Sequence, residues 1–305
     1  MIKVFGHKAP DTDATGSAII WSWYLNEVRG QQAAPFVQDE PNAEAKFVLD
    51  CWNLDCPALL GRIEAGDDVG IVDTNNPAEL PDGINSANIV AVMDHHLIAG
   101  GLQTSQPIEF IVRPVAATAT VIAGVMGDAL AEAPGSIKGV MLSCIISDTL
   151  EFRSPTTTNE DRELALRLAT ELGVGISDHA AELFAAKSDV SHLSASELLR
   201  LDSKIYDTPK GKFRITVLET TSPSGILERK NELIGSMASV SSEDEVEEIL
   251  VFVIDILGEE ATLLIPNDRV RSIVESAFGV TSESDTVVFP GIVSRKKQIV
   301  PALQG

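Results

Sequence analysis

Ile2-Lys3-Val4-Phe5-Gly6-His7-Lys8-Ala9-Pro10-Asp11-Thr12-Asp13 opens the chain with a short apolar run, a polar turn and two aspartates. Residues 2–5 read as a buried strand. The apolar pattern through Ile19, Ile20, Tyr24, Leu25 and Val28, stopped at Gly30, reads as the helix that follows. The rhythm returns twice, in residues 69–72 ending at Asp73 and residues 89–93 ending at Asp94, each a continuous apolar run of the parallel-sheet type. Further helices are expected over 44–52, 118–129, 137–146 and 159–172, the last with a capping-box signal from Thr158 and Asp161. This alternation predicts an α/β fold with a parallel sheet in its N-terminal part.

The polar stretch 186–192 marks a boundary. It divides the chain into a domain over 1–187, a linker over 188–194 and a second domain over 195–305. Strands over 213–218, 249–256 and 261–265, with helices near 225–238 and 268–277, make that second domain a smaller α/β unit. The acidic run from Glu243 to Glu248 is expected on a solvated helix face.

A chain of 305 residues can form two domains and frame a cleft between them. Its formal net charge of -22 disfavours nucleic acid and anionic membranes as partners. The three cysteines, Cys51, Cys56 and Cys144, are too scattered for a disulfide framework or a Cys-rich zinc site. With neither a signal-peptide core nor a membrane-length apolar run in the sequence, a cytoplasmic protein is expected.

Three polar clusters follow expected parallel strands: His7 to Asp13, Asp73, and Asp94-His95-His96. Ligands of open α/β sheets bind at such strand ends. Singly, each cluster has an ordinary reading: a capped turn, a lone cap, a partly exposed histidine pair. Asp148 is different, because it leaves the apolar segment 140–146, where an unpartnered charge is costly and a cation would relieve it. Three of the five histidines fall inside the clusters, while His179 and His192 lie outside and read as structural or exposed. The candidate metal ligands are therefore His7, Asp11, Asp13, Asp73, His95 and Asp148.

Imidazoles and carboxylates without thiolate favour Mn²⁺, Co²⁺ or Mg²⁺, with zinc left open. Four clustered carboxylates call for two divalent ions, one carboxylate bridging, and a shared water that becomes a hydroxide aimed at phosphorus. Neighbouring residues at a strand end diverge, so His95 is assigned to metal and His96 to substrate, as donor or proton carrier. Arg295 and Lys296, in Ser294-Arg-Lys-Lys-Gln298, suit a phosphate clamp as well as they suit a solvated patch.

Together Gly6-His-Lys-Ala-Pro-Asp-Thr-Asp13, Val72-Asp-Thr-Asn75, Asp94-His-His96, Ser147-Asp-Thr149 with Ser154-Pro-Thr, and Ser294-Arg-Lys-Lys-Gln298 resemble the manganese-dependent (family II) inorganic pyrophosphatases of the DHH phosphoesterase superfamily. The likeness runs over nearly the whole chain, and the last motif is the specific one. It implies a two-domain DHH-type fold with the active site in the interdomain cleft, hydrolysing pyrophosphate to two orthophosphates. His7, Asp11 and Asp73 would hold one Mn²⁺, and Asp13, Asp73, His95 and Asp148 the other, with Asp13, Asp73 and His96 central to catalysis. Lys204, in Leu201-Asp-Ser-Lys, joins His96, Arg295 and Lys296 as an implied substrate contact. Additional Mg²⁺ arriving with pyrophosphate, and a homodimer through the N-terminal domain, are implied too.

Ala9, Leu97 and Ala116-Ala117 depart from common family residues but remove no implied ligand. There is no room between the metal motifs for the regulatory nucleotide-binding module that some members carry. The competing enzymatic readings are a DHH-type exopolyphosphatase and an oligonucleotide phosphodiesterase. The latter typically has Gly where this chain has Thr12, and a glycine-rich C-terminal segment where this chain has Arg-Lys-Lys. A metal-binding protein with an inert site would leave Lys204, Arg295 and Lys296 without a task.

Overall fold

The computed structural model describes residues 1–305 as two compact units, Met1–Lys187 and Ser188–Gly305. In the first unit β1 (Ile2–Phe5), β2 (Ala33–Val37), β3 (Ala58–Leu59), β4 (Asp68–Val72), β5 (Asn88–Asp94) and β6 (Glu109–Val112) form a six-stranded sheet in the order β3-β2-β1-β4-β5-β6. Every pairing is parallel. The order reverses direction between β1 and β4, the topological switch at which doubly wound sheets open a crevice beyond their carboxyl ends. Gly6 and Asp73 leave the two strands at this point. Gly6 is required there, because a Cβ would stand 2.8 Å from that of Ala14 and 3.2 Å from the Val72 carbonyl.

Helix α1 (Thr12–Glu27) is buried along most of its length, with Ile20 and Trp21 fully enclosed. It has no polar face because it is covered on both sides, by the sheet and by α4. The helices α2 (Ala43–Cys51), α3 (Thr118–Met126), α4 (Gly135–Thr149), α5 (Asn159–Leu172) and α6 (Ile176–Lys187) complete the unit. The Thr158–Asp161 capping box forms, each partner bonding to the other's backbone. The helix expected to reach residue 129 instead breaks at Gly127, which takes a left-handed φ of 54° and continues as a 3-10 segment to Glu132. Ala186 and Lys187, expected within the polar stretch, are still helical in α6. No helix is long and apolar enough to cross a membrane.

The second unit is a mixed five-stranded sheet, β11-β10-β9-β8-β7, made of β7 (Ser203–Thr208), β8 (Gly211–Thr220), β9 (Glu248–Asp255), β10 (Glu260–Leu264) and β11 (Thr286–Pro290). Only β8 and β9 run parallel. Alternate residues of β9 enter opposite cores: Leu250, Phe252 and Ile254 meet α10 (Asp268–Phe278) and α11 (Val300–Gln304). Ile249, Val251 and Val253 meet α7 (Ala195–Leu198), α8 (Pro223–Glu228) and α9 (Lys230–Glu243). A strand covered on both faces reads as continuous apolar sequence.

The acidic run is not a helix face. Helix α9 stops at Glu243, the chain turns, and Glu248 opens β9. Acidic residues crowding a helix C-terminus oppose its dipole. Asp244 instead accepts from Arg200 and from Arg214, whose Nε lies 2.7 Å away.

Candidate metal centre

Asp11 is the N-cap of α1, its Oδ1 accepting from the Ala14 amide at 3.0 Å. His7 Nε2 lies 3.6 Å from that same oxygen. Capping and metal binding are therefore compatible roles for Asp11. Asp13, in the first turn of α1, is fully buried. Its Oδ2 accepts from the Thr118 amide at 2.5 Å and its Oδ1 from the Ala119 amide at 3.1 Å, so the N-terminal amides of α3 aim at this carboxylate.

Asp73 does not cap the segment after β4. It sits at a left-handed φ of 58°, a conformation Asp tolerates better than most residues. Its Oδ2 faces His7 Nε2 at 3.3 Å and its Oδ1 faces His95 Nε2 at 3.4 Å. Each oxygen of one buried carboxylate thus meets a different imidazole. Thr118 Oγ1 donates to Oδ1 at 3.0 Å.

His95 Nδ1 donates to the Val115 carbonyl at 3.2 Å, which fixes the ring and leaves Nε2 as the atom that can bind a metal once its proton is displaced. His96 does not diverge from His95 as expected: the ring centroids are 4.2 Å apart and its Nδ1 lies 3.7 Å from Asp73 Oδ1, because Asp94 draws the ring inward. Its Nδ1 donates to Asp94 at 2.9 Å while half of its side chain stays exposed. Buried Asp94 also accepts from the backbone amides of His95 and His96 and from Asn75 Nδ2 at 2.5 Å. Asp148, in the last turn of α4, completes the cluster.

Ligand atoms lie within 4.8 Å of one another in three groups: His7, Asp11 and Asp73; Asp13, His95 and Asp148; Asp73, His95 and His96. Asp73 and His95 each belong to two of them. A neighbouring cavity of 460 Å³ is lined by His7, Asp73, Thr74, Asn75, Glu79 and His96.

The charges show what the cluster needs. Burial, and then the charge of Asp73, push Asp13 up to about 7. Burial with Asp13 and Asp73 nearby raises Asp148 well above the carboxylate range. Burial alone would lower His7, but contact with Asp11 and Asp73 outweighs it and holds the imidazole up at about 10. The same balance, with Asp73 and Asp13, holds His95 at about 9. Asp73 itself, though buried, is driven below the carboxylate range by His7 and His95. Protons thus stand where cations would balance a set of oxygen and imidazole donors. The residues fit divalent metal of the Mn²⁺ type.

The remaining expected site residues lie in the second unit. Lys204 is exposed on β7, and Arg295 and Lys296 begin a wide π turn, Arg295–Ile299. Ser294 caps that turn. Gln298 ties it down, its Oε1 accepting from the Val293 and Ser294 amides and its Nε2 donating to the Gly291 carbonyl. His179 is buried, with Nε2 2.8 Å from Ser143 Oγ, and His192 is exposed. Thr118, Asn75 and the orienting role of Asp94 have no spacing signal of their own. Asp94 precedes the histidine pair, but its sequence position alone gives it no role.

Residues 1–147 match the DHH family N-terminal domain and residues 181–305 match the DHHA2 domain. A Deinococcus radiodurans protein named as a probable manganese-dependent inorganic pyrophosphatase is 37% identical, over 100% of this chain and 98% of its own. A Bacillus licheniformis protein of the same name is 35% identical over 99% and 97%. A solved Methanococcus jannaschii structure, named for the family II inorganic pyrophosphatases, aligns with a TM-score of 0.61 and 32% identity, covering 100% of this chain and 98% of that one. With both domains matched and more than 30% identity over essentially the full length, the chain belongs to the DHH-family manganese-dependent (family II) inorganic pyrophosphatases.

Proposed function

We propose that the chain hydrolyses inorganic pyrophosphate to two orthophosphates with manganese held by the clustered residues of the first unit. The observation that carries this reading is Asp73, a buried carboxylate whose two oxygens face two different histidines. Two ions would be held there, one by His7, Asp11 and Asp73 and the other by Asp13, Asp73, His95 and Asp148, with Asp73 common to both sets and Co²⁺ or Mg²⁺ as substitutes. Bound there, divalent cations supply Lewis acidity that brings water toward ionisation near neutral pH and offsets phosphate charge.

The chain's own groups do the rest. With Nδ1 committed to Asp94, His96 can present Nε2 to a phosphate oxygen as donor or proton carrier. Thr118 and the α3 amides hold Asp13 and Asp73 in place. Lys204, Arg295 and Lys296 supply counter-charge to a small polyanion, Arg295 as a fork and the lysines as point charges. Additional Mg²⁺ accompanies the substrate. The family resemblance extends the proposal to a homodimer through the first unit, and three scattered cysteines suit a reducing, cytoplasmic setting.

Purified, Mn²⁺-loaded protein is expected to release orthophosphate from pyrophosphate far faster than from tripolyphosphate or an oligonucleotide. A preference for either of the longer substrates would overturn the assignment.

A further inference from the structure

We propose that Asp202 is a positioning residue that sets the phosphate-binding face of Arg295 and ties it to Lys204; the inference rests on the reading of Arg295 as a substrate contact. Arg295 Nη1 donates to the Asp202 carbonyl at 2.8 Å, and Nη2 pairs with Asp202 Oδ1 at 2.7 Å. Backbone and side chain of one residue therefore grip both terminal nitrogens. A guanidinium carries five N–H donors in a fixed plane. The grip engages one on each terminal nitrogen and thereby fixes the plane of the other donors.

Asp202 is itself held. Its carbonyl also accepts from the Val217 amide of β8 at 2.9 Å. Ser203 donates to the Arg200 carbonyl at 3.1 Å and accepts from Arg214 Nη1 at 2.5 Å. Asp244 in turn accepts from both Arg200 and Arg214. The turn at 200–203 is thus fixed to the sheet and to the acidic loop, and Lys204 follows it immediately, in register with Ile215. Arg295 reaches this platform from far along the chain. Its side chain is only 15% exposed, whereas that of Asp202 is 55% exposed, so the grip restrains the arginine rather than burying an ion pair.

Restraining a long, rotamer-rich side chain before binding lowers the entropy lost when phosphate arrives. It also ties the arginine to the residue two positions before Lys204, so that both cations are anchored to one turn.

The test is a double-mutant cycle on the full-length, Mn²⁺-loaded protein, read by calorimetric titration with imidodiphosphate, a pyrophosphate analogue. Asp202→Ala is expected to weaken binding about tenfold. Both variants keep the backbone carbonyl contact, and Asp202→Asn, which restores a side-chain oxygen acceptor for Nη2, should recover most of that loss. The decisive variant is Asp202→Ala combined with Arg295→Ala, which should bind no more weakly than Arg295→Ala alone, because Asp202 acts only through the arginine. Unchanged binding in Asp202→Ala, or losses that multiply in the double variant, would overturn the proposal. If Arg295→Ala alone binds normally, the phosphate role of Arg295 falls first and the positioning role with it. A neutral Asp202→Ala beside a weakened Arg295→Ala refutes the positioning role alone.

Discussion

Replacing Thr118 by valine removes one hydroxyl and leaves the side chain's shape nearly intact. That hydroxyl is fully buried and donates to Asp73 Oδ1 at 3.0 Å. The Thr118 amide still donates to Asp13 after the exchange, so the start of α3 is not at issue. A hydrogen bond to a charged acceptor contributes about 1.5 to 3 kcal/mol, which at about 1.4 kcal/mol per decade converts to a 10- to 100-fold loss of Mn²⁺ affinity. Replacing an outer-shell partner of a metal ligand typically costs roughly the same 10- to 100-fold. Two routes to the magnitude therefore agree. Free Mn²⁺ read by electron paramagnetic resonance during titration would measure it, and Thr118→Ser, which restores the donor, should restore affinity. A Thr118→Val protein that folds and binds Mn²⁺ as tightly as its parent would refute the view that Asp73 is held by this hydroxyl.

Other perturbations have expected outcomes of their own. Asp73→Asn should abolish tight metal uptake and pyrophosphate hydrolysis together, because it neutralises the carboxylate that faces both His7 and His95; retention of both properties would remove the bridging role. In chelated protein, Asp13 at about 7, His7 at about 10 and His95 at about 9 all lie above their unfolded values, so each favours the fold at low pH and loses that contribution as pH rises through its folded value. Asp73, shifted the other way, withdraws its support on acidification below the usual carboxylate range. Melting followed between pH 5 and 9 should therefore show the chelated protein weakening as pH rises, and saturating Mn²⁺ should reverse the trend by displacing protons; a chelated protein that gains stability across this range contradicts the charge assignment. Gly139→Ala on α4 would place a Cβ 2.1 Å from the Trp52 ring. Overpacking of this kind costs about 1 to 3 kcal/mol, so the melting temperature should drop by several degrees, and an unchanged value would show that Trp52 moves aside freely.

What the sequence disclosed follows from how each part is encoded. β1, β4 and β5 are continuous apolar runs, each followed at once by a candidate ligand or its neighbour, so strand position and candidate chemistry were legible together. The short strands β2, β3 and β6 are weaker. Residues 109–112 of β6 are only partly covered, and their pattern carries no clear period. The fate of the acidic run was decided by tertiary partners: Asp244 turns toward Arg200 and Arg214, and no local periodicity announces an arginine more than forty residues away. Thr118 was hidden for the same reason. Its partners, Asp13 and Asp73, are 105 and 45 residues distant in sequence. The six candidate ligands could be named because their residue types are scarce in apolar surroundings. The hydroxyls, amides and carbonyls that orient them are common groups, and only three-dimensional placement distinguishes them from their neighbours.

The long separations around Asp13 and Asp73 bear on how the molecule acquires its activity during folding. His7, Asp73 and His95 follow three different strands, β1, β4 and β5, while Asp148 lies in α4 and Thr118 opens α3. No local fragment contains the cluster, and contacts between distant segments form slowly because loop-closure entropy precedes their reward. High-affinity manganese uptake should accordingly appear only once the parallel sheet and its covering helices are complete. During refolding the ion then serves as a late reporter of correct topology, not as a template that nucleates it.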